Sequence, residues 1–91
     1  MKIVFSAYAR RELDLEAEFE GLGSEFRSDV RSAAERISRH PVAWPVERGE
    51  VRKCLLHKFP YKLLYSVEND HVFIIAVAHQ HRQPDYWIER L

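Results

Sequence analysis

Tyr61-Lys-Leu-Leu-Tyr-Ser-Val67, then Glu68-Asn-Asp-His71, then Val72-Phe-Ile-Ile-Ala-Val-Ala-His79 are the consecutive pieces of sequence that decide the fold. The first alternates Tyr61, Leu63, Tyr65 and Val67 with Lys62, Leu64, Ser66 and Glu68, the period of two that gives a strand two different faces. The middle piece is polar and holds residues that tolerate left-handed backbone, so it predicts a hairpin turn. The third is apolar on both faces, as a strand in the middle of a sheet must be.

Working outward, Val51 to Lys58 reads as a third strand. Residues 40–50 carry Pro41, Pro45 and Gly49 with Trp44 between the prolines, and predict an ordered loop pinned to the core by the indole. Before the loop lie two helices. Phe26, Val30, Ala33 and Ile37 recur at single-face helical spacing after Ser24, a residue suited to an N-cap, and His40-Pro41 stops this helix because the residue before proline avoids the helical region. The earlier helix, Ala7 to Leu22, follows a possible Ser6 cap. It carries Tyr8, Leu15, Phe19 and Leu22 on one stripe and Ala9, Leu13 and Ala17 on another, an arc wide enough to predict burial against two neighbours. Gly21 and Gly23 supply the turn of an antiparallel helical hairpin. Lys2-Ile-Val-Phe5 is an opening strand, and Tyr86 to Leu91 is a short helical turn or docked tail. The order β-α-α-β-β-β predicts an α+β fold with the helices packed on one face of an antiparallel sheet.

The 91 residues predict one domain over 1–91, too short for a deep interdomain cleft, so any site is expected on a face. Lys plus Arg equals Asp plus Glu at 14 each, which removes any inference to nucleic acid from total charge. Residues 1–50 hold eight basic against ten acidic groups and residues 51–91 six against four, leaving the Arg52 to Arg82 region as the electropositive segment. The lone Cys54 excludes an internal disulfide and reads as a buried structural thiol, in keeping with a reducing compartment. With no leader-like opening and no apolar run of membrane-spanning length, a cytoplasmic protein without membrane contact is expected.

His79-Gln-His-Arg82, followed by Tyr86, stands where the most apolar strand runs out. There it has the chance to meet Arg52, Lys53 or Lys62. Such a group can hold phosphates through Arg and Lys while His or Tyr moves protons in phosphodiester cleavage. Equally, Arg82 and His79 can simply anchor the tail. His79 and His81 face the same way on a strand, but no third ligand has metal-site spacing, so neither metal nor cofactor is expected. The acidic run of the first helix reads as a solvated face.

Val51-Arg-Lys53, Phe59-Pro-Tyr-Lys-Leu-Leu-Tyr65 and Ala76-Val-Ala-His-Gln-His-Arg-Gln-Pro-Asp-Tyr-Trp87 together resemble the RelE/ParE superfamily of type II toxin-antitoxin toxins, which includes plasmid stabilisation proteins. Phe5-Ser-Ala7, Gly21-Leu-Gly23 and Phe26 are similar to its N-terminal half. The resemblance implies a toxin that arrests bacterial growth, bound and neutralised by a cognate antitoxin, with DNA contact only through that antitoxin. RelE-like members cleave mRNA on the ribosome, and ParE-like members poison DNA gyrase without hydrolysis. By motif, Arg82 resembles the strand-end arginine of the RNase branch, Tyr86 its tail tyrosine, Lys53 one of its strand lysines, and Lys62 the position where it prefers arginine. Arg52, His79 and His81 are accessory binding candidates. Lysine lacks the bidentate fork of arginine, and Leu55 stands where another basic residue is expected. These departures lean the reading toward the ParE-like side. The alternatives are a ribosome-dependent mRNA endoribonuclease and a degenerate member that only binds its antitoxin.

Overall fold

The computed structural model describes all residues 1–91. Its elements are β1 (Lys2–Phe5), α1 (Ala7–Asp14) continued by a π-helical turn (Leu15–Phe19), α2 (Gly23–Arg39), β2 (Val46–Arg48), β3 (Val51–Leu55), β4 (Tyr61–Val67), β5 (His71–His79) and a closing 3-10 turn (Ile88–Arg90). The sheet order is β1-β5-β4-β3-β2, with β1 parallel to β5 and the other pairs antiparallel. The α+β class and the expected order of elements hold, but the sheet expected to be antiparallel is mixed, because β1, separated from the other strands by the helical hairpin, joins β5 in parallel. One strand is added: the loop over 40–50 contains β2, which pairs Val46 with Arg52 and Arg48 with Val51. So short a segment between Pro45 and Gly49 has too little alternation to show in a sequence.

Ser6 caps α1 as expected, its Oγ accepting the Ala9 N–H at 3.0 Å. Ser24 does not cap α2. The helix starts one residue earlier, at Gly23, without a side-chain cap, and Gly21 (φ 73°) and Gly23 (φ 69°) adopt the left-handed backbone that turns the chain between the helices. The single-face pattern of α2 is fully realised, with Phe26, Val30, Ala33 and Ile37 all buried. The wide arc of α1 is not. Ala9, Leu13 and Ala17 enter the core and Leu22 packs against it, but Tyr8, Leu15 and Phe19 remain exposed because α1 has one packed layer beneath it and solvent beyond.

The sheet separates two apolar clusters. Leu63, Tyr65, Val72, Ile74 and Val77 meet the helices on one face, in a core of sixteen residues. Val51, Leu64, Ile75, Ala76 and the almost fully buried Trp87 form a cluster of five on the other, roofed by the C-terminal tail. Leu64 pairs with Ala76 and Tyr65 with Ile74, so Ile75 is an extra residue on β5. This bulge turns both Ile75 and Ala76 toward Trp87. It is what makes room for a second cluster on a strand that reads as evenly apolar.

Candidate functional site

Strand alternation decides which of the sequence-predicted residues can meet. Lys53 pairs with Leu64 and Lys62 with Leu55, so both lysines project from the tail face. There Lys62, Arg82, Tyr86 and Glu47 border one shallow depression. Arg52 pairs with Tyr65 on the helix face instead, and its Nη1 donates to the Trp44 carbonyl at 2.7 Å, tying down the loop. His79 pairs with Tyr61, whose ring it meets edge-on at 5.1 Å, and the His81 ring lies 5.4 Å from it. The structure thus brings together Lys53, Lys62, Arg82 and Tyr86, and leaves Arg52, His79 and His81 outside the group.

The chemistry of that group is set by two carboxylates the sequence did not single out. Glu47 on β2 lies 3.4 Å from Lys62 Nζ and 3.7 Å from Lys53 Nζ, so both ammonium groups share one counter-ion. Glu12 on α1 is the larger hub. Beyond Phe5, β1 no longer covers the edge of β5, and Glu12 Oε1 accepts the Val77 N–H at 2.9 Å and Arg90 Nη1 at 2.9 Å. Its Oε2 accepts Arg90 Nη2 at 2.9 Å and the Tyr86 hydroxyl at 2.7 Å. Glu12 and Arg90 are only 16% and 15% exposed, so this is an enclosed, bidentate pair. The acidic run of the first helix is therefore not uniformly solvated: Glu12 carries the tail, and Glu16 accepts the Tyr61 hydroxyl at 2.6 Å on the helix face.

Tyr86 is consequently held as a donor. Burial first, and then the hydrogen bond to Glu12, push its phenol well above the ordinary tyrosine value. The Arg82 guanidinium stacks on the same ring, 4.0 Å from its centroid, with Arg90 4.9 Å from that centroid. Asp85, at φ 65°, turns the tail and pairs with Arg48. The depression itself holds about 10 Å³, the limit for a single water. A tyrosine kept protonated and donating, lysines sharing a carboxylate and a site without volume suit tail anchoring better than proton abstraction from a bound nucleotide.

Larger grooves lie at the two edges of the sheet. One, of about 430 Å³, runs beside β1 between α1 and α2, with Ile3, Phe5, Leu13 and Val30 in its lining and Arg10, Arg27 and Arg31 among its polar groups. The other, of about 480 Å³, flanks the outer side of β3. Cys54 beneath it is fully buried, its thiol pushed up by that burial, as a structural cysteine should be. His79 and His81 have no third metal ligand beside them, and no helix is long and apolar enough to cross a membrane.

Residues 3–84 match the family model described as the ParE toxin of the type II toxin-antitoxin system parDE. Among solved structures the chain is similar to one titled "Chromosomal ParDE TA system from P. aeruginosa", with a TM-score of 0.65 and 16% sequence identity over 87% of this chain and 95% of that one. At that identity the likeness speaks for the fold. No curated protein matches the sequence significantly.

Proposed function

The chain belongs to the ParE toxin family of type II toxin-antitoxin systems, and on that premise we propose that it arrests bacterial growth by a non-hydrolytic, gyrase-directed action and is neutralised by a cognate antitoxin. The observation that carries the non-hydrolytic reading is the Tyr86 hydroxyl donating to Glu12 at 2.7 Å. A ribonuclease would need that phenol, or a neighbouring group, free to exchange a proton with substrate. Lys53 and Lys62, both drawn toward the single carboxylate of Glu47, are poorly placed to stabilise developing phosphate charge, and Leu55 offers no charge at all. In this reading Arg82 and Tyr86 are positioning residues that hold the tail. The groove beside β1, apolar at its floor and rich in arginine at its rim, is suited to an antitoxin segment that buries apolar side chains.

Induction of the chain alone is expected to halt growth, and coexpression of the antitoxin encoded beside it to restore growth. Purified toxin is expected to inhibit gyrase supercoiling and to leave mRNA on programmed ribosomes intact. Cleavage by wild type that disappears in folded Arg82→Ala and Tyr86→Phe variants, a loss of about a hundredfold or more for a missing transition-state contact, would replace this reading with the ribonuclease one. Unimpaired growth at full soluble expression would leave only antitoxin binding.

A further inference from the structure

Of the basic side chains around the tail, all but one are directed at a carboxylate. Lys53 and Lys62 share Glu47, Arg48 pairs with Asp85, and Arg90 is clamped by Glu12. Arg82 is the exception: it makes no ion pair, remains exposed, and lies on the Tyr86 ring 4.0 Å from the centroid. Stacking engages the face of a guanidinium and leaves its in-plane N–H fork for an acceptor. The segment that carries Arg82 is pinned through its backbone. Gln80 N–H donates to the Pro60 carbonyl at 2.8 Å, His81 N–H to His79 Nδ1 at 3.1 Å, and Arg82 N–H to the His79 carbonyl at 3.0 Å. The side chains of Gln80, His81, Arg82 and Gln83 are all exposed, and none is used in a hydrogen bond within the chain. A fixed loop that holds out unused donors and acceptors is arranged for recognition.

We propose that, beyond holding the tail, Arg82 is the residue by which this chain grips its target protein: a preset guanidinium that takes a carboxylate on the surface of gyrase, with Gln80, His81 and Gln83 as hydrogen-bonding neighbours. The inference deepens the gyrase-directed reading above and rests on it. A carboxylate matches the fork with two parallel N–H···O bonds. A nucleic-acid phosphate offers similar oxygens, but affinity for DNA is the sum of many neutralised phosphates. Here the other cations beside the tail are turned toward Glu47, Asp85 and Glu12, and only Arg82 presents a free fork. One free fork suits one acidic side chain on a protein rather than a run of phosphates. Because the stack has already restricted the arginine, binding costs little further side-chain entropy. Tyr86 acts through Arg82 as a positioning residue, its ring under the guanidinium and its hydroxyl fastened to Glu12.

Binding of the full chain to purified gyrase without DNA, measured beside inhibition of supercoiling, tests the contact. Arg82→Ala is expected to weaken both about tenfold or more, the scale of an arginine hot spot in a protein interface. Arg82→Lys should recover only part, since an ammonium keeps the charge and loses the fork. Tyr86→Phe keeps the ring and should keep most of the inhibition, whereas Tyr86→Leu should fall with Arg82→Ala; a required hydroxyl would make the two Tyr86 variants alike. Arg39→Ala removes another exposed arginine, at the end of α2, and should leave both readouts unchanged. Near-native melting separates a lost contact from a lost fold, and the exposed Arg82 keeps the test intact should Tyr86→Leu unfold. Full binding and inhibition by Arg82→Ala would overturn the inference while the gyrase reading stands. A wild type that binds gyrase only when DNA is present, with Arg82→Ala losing retention on DNA alone, would also overturn it, the acceptor then being a phosphate. If wild type leaves supercoiling untouched, the gyrase reading falls and takes the inference with it.

Discussion

The two faces of the one sheet are held by different physics. On the helix face, sixteen buried residues from α1, α2 and the strands interlock, and the gain scales with apolar area removed from water. On the tail face, five buried residues gather around one indole, and a polar clamp of Glu12, Tyr86 and Arg90 finishes the work. A face built from many apolar contacts spreads its stability over many side chains. A face built from one aromatic anchor and one carboxylate concentrates its stability in few side chains, and one of them is Tyr86, the tail tyrosine of the ribonuclease alternative.

Trp87→Ala tests that concentration most severely. Removing a side chain this deeply buried is expected to cost about 3–5 kcal/mol in urea unfolding, and loss of amide protection at Ile75 and Ala76 should accompany it. A cost below about 1 kcal/mol would mean the tail face contributes little and only the helix face holds the sheet.

The helix face has one polar exception, buried Asp29, whose carboxylate accepts N–H groups from His57 at 3.4 Å, Lys58 at 2.8 Å and Phe59 at 3.1 Å. Asp29→Ala strands these donors in the turn between β3 and β4. The expected loss is about 3 kcal/mol, read from the denaturation midpoint. Glu12→Gln is the matching change on the tail face. Glutamine can still accept from Val77 but leaves Arg90 without its charge partner, for about 2 kcal/mol. A Glu12→Gln loss below about 0.5 kcal/mol would mean that the clamp contributes little to the tail face.

Alkaline titration separates the faces more finely. Tyr61 and Tyr65 on the helix face have phenols pushed up to about 12, each mainly by burial, with Glu16 as the second cause for Tyr61, and Tyr86 on the tail face is raised as well, with Glu12 as its second cause. Because these folded values exceed the ordinary 10.0, the stability they contribute is complete below pH 10 and is lost as pH rises through the folded values. Phenolate absorbance from these three residues is expected only near and above pH 12, and Glu12→Gln should lower the onset for Tyr86 alone. The smallest effect belongs to neither face. Phe19 is 83% exposed, so Phe19→Ser should change stability by no more than about 0.5 kcal/mol. A larger loss would mean that the outer stripe of α1 is covered in solution.

The same contrast explains what the sequence made legible. Helical spacing in Phe26, Val30, Ala33 and Ile37 and alternation in Tyr61, Leu63 and Tyr65 are repeated signals, so the helix face could be read residue by residue. The tail face depends on one extra residue in β5 and on contacts between Glu12 and residues 77, 86 and 90, for which no local pattern exists. Glu12 sat among Asp14, Glu16, Glu18 and Glu20 with nothing to mark it as the one that meets the tail. Glu47 was hidden in a three-residue strand. Lys53, Lys62, Arg82 and Tyr86 were legible as residue types and strand positions, yet the pairing of the lysines and Tyr86 with these two acids, and the stacking of Arg82 on Tyr86, decide what they can do. Arg52 and His79 missed the group through strand parity, which a sequence yields only after the register is known.

The parallel pairing of β1 with β5 sets Lys2 beside His71 and Phe5 beside Ile74. On the ribosome the first strand therefore emerges long before the strand it must join, and at about 5–20 residues per second the wait lasts several seconds. Through that interval the local helical hairpin can form, but Ile3 and Phe5 have no sheet to enter and Glu12 has no Val77 or Arg90 to receive. Contacts of such wide sequence separation form late, since the chain entropy of closure is lost before any of them rewards it. The nascent chain is thus without its finished surface until nearly all of β5 has been synthesised, and a partner already waiting in the cell meets the toxin at the moment the sheet closes.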